Sequence, residues 1–118
     1  MPTDPDPTLP AQWGTGTAPT LNALRTEIDR VDAALVTLLA ERARYTRDAA
    51  RFKASLAEVS APARVDQVLD RVRSRAVAAG LPLPIAEAVW RALITASIED
   101  QRAWYLAHAP APGERDQG

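Results

Sequence analysis

Apolar residues recur every three or four positions from Leu21 to Phe52, which is the spacing of one face of an α-helix. This face consists of Leu21, Leu24, Ile28, Val31, Leu35, Leu38, Tyr45, Ala49 and Phe52. The segment contains no glycine or proline, and Thr20, directly after Pro19, is suited to cap its first turn. The pattern therefore predicts one helix from Thr20 to about Ala54, a rod roughly 50 Å long at about 1.5 Å per residue.

A second helix is predicted after a short loop over 55–61. Pro62 suits its first turn, Ser60 is the candidate cap, and Gly80 is the residue expected to end it. Its apolar side carries Val65, Val68, Leu69, Val72 and Ala76.

A third helix follows the extended segment 81–84, and it is predicted to begin at or just after Pro84 and to end near Ala107. Its apolar face carries Ile85, Val89, Trp90, Leu93, Ile94, Ile98 and Trp104. Two polar residues, Ser97 and Gln101, lie on the same face. No segment shows the alternating pattern of a strand, so the predicted fold class is all-α.

The length of the first helix predicts a dimer. A compact monomer of 118 residues has an expected radius of gyration of about 13–14 Å, so a rod of this length projects from it. The apolar stripe along the rod then needs a second chain, and its heptad-like spacing agrees. We expect three helices per chain, one very long, in an intertwined homodimer formed by a domain over 20–108. A proline-rich leader over 1–19, in which Trp13 is the aromatic exception, and a tail over 109–118 are expected to be disordered.

Composition narrows the possible functions. The formal net charge is −1 and the pI about 5.8, which argues against a general nucleic-acid binder. The chain has no cysteine and a single histidine, His108, so we expect no disulfide, no metal site and no cofactor. No signal peptide is visible, and no stretch approaches the roughly 20 apolar residues of a membrane span, so no membrane contact and a cytoplasmic location are expected.

Cations interrupt the apolar stripe of the first helix. Arg42 occupies a position on the stripe, Arg25 lies one residue off it, and Lys53 lies at its far end. A buried charge without a partner costs several kcal/mol, so its partner is either an acidic residue of the dimer or a ligand. Taken alone, each of these side chains also fits a cation that lies along the apolar surface and places its charged group in water.

Together with Arg64 at the start of the second helix and Gln101 on the third, these cations suit a pocket for a small dicarboxylate. A lysine and an amide beside it can stabilise negative charge on an oxygen, and so accelerate a unimolecular rearrangement without proton transfer.

The run Leu24 to Asp32, the run Leu38 to Arg42, and Lys53 resemble the all-helical chorismate mutases, over about residues 21–105. The resemblance implies an intertwined homodimer with two shared active sites. It also implies residue roles: Arg25 binds a substrate carboxylate in the partner's site, Arg42 and Arg64 bind carboxylates in their own, Lys53 and Gln101 hydrogen-bond the ether oxygen, and Ser97 is a pocket residue.

Two features separate the possible reactions. Val65 stands where typical bacterial mutases carry a glutamate, and the loop segments 51–55 and 61–65 resemble isochorismate-pyruvate lyases of salicylate biosynthesis. Ser97 favours a mutase. The resemblance therefore implies first a chorismate mutase forming prephenate, and as the alternative an isochorismate-pyruvate lyase. A mutase of the 4-amino analogue is a third reaction.

A dimeric helical interaction module is the alternative of another class, although it does not account for Arg42 and Gln101.

Overall fold

The computed structural model describes residues 14–108, and within that range the chain is helical and contains no strand. The elements are α1 (Leu21–Ala50), a 3₁₀ turn (Leu56–Val59), α2 (Pro62–Ala79) and α3 (Leu83–His108). The all-α class and the three helices are thus confirmed. The predictions for residues 1–13, including Trp13, and for 109–118 lie outside the described residues. No helix within the described range is both long and apolar enough to cross a membrane.

The start of α1 is the predicted one. The Oγ1 atom of Thr20 accepts a hydrogen bond from the backbone N–H of Ala23 at 3.0 Å. The carbonyl of Thr20 accepts a bond from the N–H of Leu24 at 3.3 Å. Thr20 is therefore the N-cap residue, which satisfies one of the free donors of the first turn.

The end of α1 was predicted too late. The helix has 30 residues and ends at Ala50, whereas the apolar pattern continued to about Ala54. The backbone N–H groups of residues 51–53 donate to carbonyls three residues earlier, so the final turn tightens beyond the α-helix. The N–H of Ala54 then donates to Oε2 of Glu58 at 2.8 Å, which draws the chain into the 3₁₀ turn.

The start of α2 differs from the prediction in its cap. Pro62 lies in the first turn as expected, but the cap residue is Ala61, which has φ 33° and ψ 69° and offers no side-chain bond. The predicted cap, Ser60, instead donates from Oγ to the carbonyl of Ala57 at 3.1 Å. The preceding 3₁₀ turn thus engages the Ser60 hydroxyl, and α2 begins after a left-handed residue.

Gly80 ends α2 as predicted. Its φ is 75°, a left-handed conformation that glycine adopts without steric cost. The N–H of Leu81 donates to the carbonyl of Ala76 at 2.9 Å, which closes the end of the helix. The start of α3 was predicted slightly late, because the carbonyl of Pro82 already accepts bonds from Ile85 and Ala86.

The described chain divides into two compact units, one ending at Arg42 and one beginning at Ala43. In the second unit α2 packs along α3, and the 3₁₀ turn also contacts α3. The buried apolar side chains of the second unit are Ala50, Val59, Leu69, Ala76, Ala86, Ile94 and Tyr105. Three of these, Leu69, Ala76 and Ile94, belong to the apolar faces predicted for α2 and α3.

The first unit contains most of α1, and its apolar face is exposed in the single chain. Leu21, Ile28 and Leu38 are each more than half exposed, at 58%, 55% and 53%. Taken by itself, the first unit therefore presents apolar side chains of α1 that are largely exposed.

Candidate active site

The predicted site residues fall in both units. Arg25 and Arg42 belong to the first unit, and Lys53, Arg64, Val65, Ser97 and Gln101 belong to the second. Arg25 is exposed, and its guanidinium forms no hydrogen bond or ion pair with the other residues between 14 and 108. Arg42 is half-buried, in keeping with its position on the apolar stripe.

The Gln101 side chain is held from a neighbouring helix. Its Nε2 atom donates to the backbone carbonyl of Thr46 in α1 at 2.6 Å, and both residues are half-buried. Because a carbonyl only accepts, the nitrogen end of the amide must face Thr46. The second N–H of Nε2 and the amide oxygen are left for other partners. The Thr46 contact thus fixes both the position and the direction of the Gln101 amide.

An ion pair lies directly beside this contact. Nε of Arg47 lies 2.7 Å from Oδ2 of Asp100, and Nη2 of Arg47 lies 2.8 Å from Oδ1. The hydrogen bond from Arg47, more than its charge, holds the pKa of the Asp100 carboxyl below its usual value. This two-bond fork fixes the orientation of both groups as well as their distance.

Lys53 follows the end of α1 and is half-buried. Its backbone N–H donates to the carbonyl of Ala50 at 3.2 Å, which places it in the tightened final turn. The ammonium group forms no ion pair with any carboxylate in the described part of the chain.

Arg64 and Val65 lie in the first turn of α2. Their backbone N–H groups both donate to the carbonyl of Ala61, at 3.0 and 3.1 Å, so Ala61 sets the direction in which this turn leaves the loop. The exposed Arg64 side chain donates from Nη1 to Oε1 of Gln67. That bond uses one of the five guanidinium N–H groups and leaves the others for a carboxylate. Val65 is half-buried and has no polar side-chain atom.

Ser97 lies four residues before Gln101 in α3, so the two side chains share one face of the helix. Both are half-buried. Within residues 14–108, no three or more His, Cys, Asp or Glu side chains are grouped so that they could hold a metal ion. Apart from Val65, the predicted residues of the second unit offer an ammonium, a guanidinium, an amide and a hydroxyl, all of them hydrogen-bond donors suited to an anionic ligand.

Thr46, Arg47 and Asp100 were not among the residues predicted from the sequence. Arg47 lies off the apolar stripe and Asp100 lies beside a predicted site residue, so each alone reads as a surface charge. Helical periodicity identifies the face of one helix, but it does not say which turns of two distant helices meet. The available signal was the acidic residue Asp100 directly before Gln101, whereas Arg47 lies five residues from Arg42, the nearest predicted site residue.

Comparison with known proteins agrees with the resemblance of the sequence. The family model described as "Chorismate mutase type II" matches residues 24–102, a range that includes every predicted site residue. The isochorismate pyruvate lyase of Pseudomonas aeruginosa is 36% identical over 84 residues, which cover 71% of this chain and 75% of that protein. No solved structure gave a significant match.

Proposed function

This chain belongs to the type II chorismate mutase family, and from that premise we propose that it is a chorismate mutase, which converts chorismate to prephenate. The observation that carries the proposal is the fixed amide of Gln101. Its Nε2 atom is anchored on Thr46 at 2.6 Å and keeps one N–H for a substrate oxygen.

The proposed reaction is an intramolecular rearrangement. The ether C–O bond of chorismate breaks while a C–C bond forms, and no atom or proton is exchanged with the protein. Negative charge grows on the ether oxygen during this step, so donors aimed at that atom bind the transition state more tightly than the substrate. In the proposed site the free N–H of Gln101 and the ammonium of Lys53 are these donors.

The two substrate carboxylates are assigned to arginines. In the proposed site Arg42 and Arg64 of one chain and Arg25 of the other bind them, which holds the substrate in a reactive geometry. The exposed state of Arg25, and its lack of partners among the described residues of its own chain, are consistent with a role in a second chain.

A homodimer is part of this proposal. The exposed apolar stripe of α1, with Leu21, Ile28 and Leu38 each more than half exposed, suits burial against the same stripe of a second copy. Sedimentation equilibrium of the full chain tests it: a mass of two chains is expected, and a monomer at micromolar concentration would contradict it.

A second candidate is isochorismate pyruvate lyase, the activity named for the relative from Pseudomonas aeruginosa. This reaction releases pyruvate from isochorismate and leaves salicylate. It needs the same dicarboxylate binding and the same donors at the breaking C–O bond. Val65 favours it, because an apolar side chain cannot hydrogen-bond the ring hydroxyl that chorismate carries. Ser97 favours the mutase.

The deciding experiment is a parallel assay of the purified full chain with chorismate and with isochorismate, following prephenate in one and salicylate plus pyruvate in the other. Efficient prephenate formation supports the mutase. Salicylate with only traces of prephenate identifies the lyase and overturns the first proposal. If neither substrate is consumed, the 4-amino analogue is assayed next, before an interaction module is considered.

Gln101→Leu is the matched variant in both assays, because it keeps the approximate size of the side chain and removes its donor. Loss of a single transition-state donor is expected to lower kcat about 100-fold or more. Val77→Ala, an exposed apolar residue near the end of α2, is the control and should leave kcat unchanged.

A further inference from the structure

Two neighbouring residues of α1 bind two neighbouring residues of α3. Thr46 accepts the hydrogen bond of Gln101 through its backbone carbonyl, and Arg47 forks onto Asp100 with bonds of 2.7 and 2.8 Å. Thr46 and Gln101 offer one bond, whereas Arg47 and Asp100 offer two parallel charge-assisted bonds. The ion pair therefore adds two bonds of defined geometry beside the single bond of Gln101.

We propose that Arg47 and Asp100 are positioning residues for Gln101: their ion pair sets the register between the end of α1 and residues 100–101 of α3, and so places the Thr46 carbonyl that orients the Gln101 amide. This inference rests on the proposed function, because it gives the amide a role in the reaction. Neither Arg47 nor Asp100 is assigned any contact with the substrate.

The physical reason is the freedom of a glutamine side chain. Without an anchor, Gln101 rotates about three side-chain torsions and its amide can turn end for end. The anchor is a backbone carbonyl, which cannot adjust by itself and moves only with its helix. A displacement of about 1 Å in a catalytic group can cost as much as 100-fold in rate. A shift of α1 against α3 by that distance is the change that the ion pair resists.

The described part of the chain also contains a comparable ion pair that lies elsewhere, in which the arginine contacts a second carboxylate, that of Asp70, at 3.1 Å. Nε of Arg73 in α2 lies 2.7 Å from Oε1 of Glu87 in α3, and it likewise joins two helices of the second unit. The two pairs have similar exposure: 54% and 34% for Arg47 and Asp100, and 37% and 38% for Arg73 and Glu87. No predicted site residue adjoins the second pair in sequence, so it controls for a purely structural role.

The experiment compares Arg47→Met with Arg73→Met in the full chain. Methionine keeps much of the aliphatic stem and removes the guanidinium. Both variants are expected to lower the melting temperature by similar amounts. Arg47→Met should lower kcat about tenfold while KM changes by less than about twofold, because orientation and not substrate affinity is lost. Arg73→Met should leave both constants within about twofold. Arg47→Lys, which keeps the charge and loses the fork, should recover part of kcat.

A second readout needs no substrate. The side-chain amide signal of Gln101 in a nitrogen–proton correlation spectrum is assigned by its loss in Gln101→Leu. The proton bonded to Thr46 should exchange slowly with water in the wild type and in Arg73→Met, and quickly in Arg47→Met. An unchanged exchange rate in Arg47→Met would overturn the inference, as would an equal fall of kcat in both methionine variants. A wild type that turns over no substrate would refute the proposed function alone, since the exchange measurement would still test the positioning.

Discussion

Nε of Arg73 lies 2.7 Å from Oε1 of Glu87, and this contact joins α2 to α3 on the hairpin that turns at Gly80. Nη1 of Arg73 also lies 3.1 Å from Oδ1 of Asp70, one turn earlier in α2. The hydrogen bond from Arg73, followed by its charge, holds the pKa of Glu87 below its usual value. The carboxylate form of Glu87 is therefore the form that the folded chain favours.

This lowered pKa predicts a pH dependence of stability. A carboxyl whose pKa is lower in the folded chain contributes stability above its unfolded pKa, and that contribution is lost as the pH falls through the folded pKa. Glu87→Gln should therefore melt at a lower temperature than the wild type at pH 7, and the difference should shrink as the pH falls to 3. The measurement is the melting temperature by circular dichroism across that range.

The control for this series is Glu99→Gln, since Glu99 is an exposed carboxyl of α3 with no ion pair among residues 14–108. Its melting temperature should follow the wild type at every pH. A Glu87→Gln deficit of constant size from pH 7 to pH 3 would show that the loss does not come from the charged pair.

Lys53→Ala should lower the rate far more than the affinity. The ammonium is proposed to contact an oxygen whose negative charge grows during the reaction, so the contact strengthens in the transition state. Removal of one such donor is expected to lower kcat about 100- to 1000-fold, with KM changed only a few-fold. Steady-state kinetics on the substrate that the wild type accepts give both constants, with Arg71→Ala, an exposed cation of α2, as the control. A raised KM with unchanged kcat would contradict the role assigned to Lys53.

A mixed dimer tests whether Arg25 serves the partner's site. Arg25→Ala and Arg42→Ala homodimers should each be inactive, because every site lacks one carboxylate ligand. In a dimer of one chain of each kind, one site receives both intact arginines and the other receives neither. Random mixing makes half of the dimers mixed, so about a quarter of wild-type activity should return.

The measurement is the activity of an equimolar mixture refolded together, compared with the same proteins mixed without refolding. The unexchanged mixture is the control and should remain inactive. If the refolded mixture forms dimers of the correct mass and stays inactive, each site takes Arg25 from its own chain or does not use it.

Local rules predicted the helices well. The cap at Thr20, the proline start of α2 and the glycine end at Gly80 depend on residues close in sequence, and all three are present in the structure. The apolar stripe misled at the end of α1, because Phe52 fits the spacing although the helix has ended at Ala50. The pattern of side chains shows which face of a helix is apolar. It does not show where the backbone hydrogen bonds change from a spacing of four residues to a spacing of three.

The contacts between helices could not be predicted from the pattern of apolar and polar residues. Gln101 was predicted as a site residue because it interrupts an apolar face, but its anchor is a backbone carbonyl, and a carbonyl carries no sequence signal. The Ser60 cap failed for a related reason. The hydroxyl had two possible backbone partners, and the 3₁₀ turn that engages it was not visible in the sequence.

The last prediction concerns Ala61, whose φ of 33° is positive although the residue has a Cβ atom. That conformation costs roughly 1–2 kcal/mol for an L-residue other than glycine. Ala61→Gly removes this cost but adds about 0.5–1 kcal/mol of backbone entropy to the unfolded chain. The net result should be a stability between unchanged and about 1.5 kcal/mol higher. Ala61→Val should destabilise, because a β-branched side chain fits this region worse than alanine. Urea unfolding measures both, with Ala92→Gly, an exposed position in the interior of α3, expected to lose about 0.5–1 kcal/mol. An Ala61→Gly variant as destabilised as Ala92→Gly would show that residue 61 does not keep the left-handed conformation in solution.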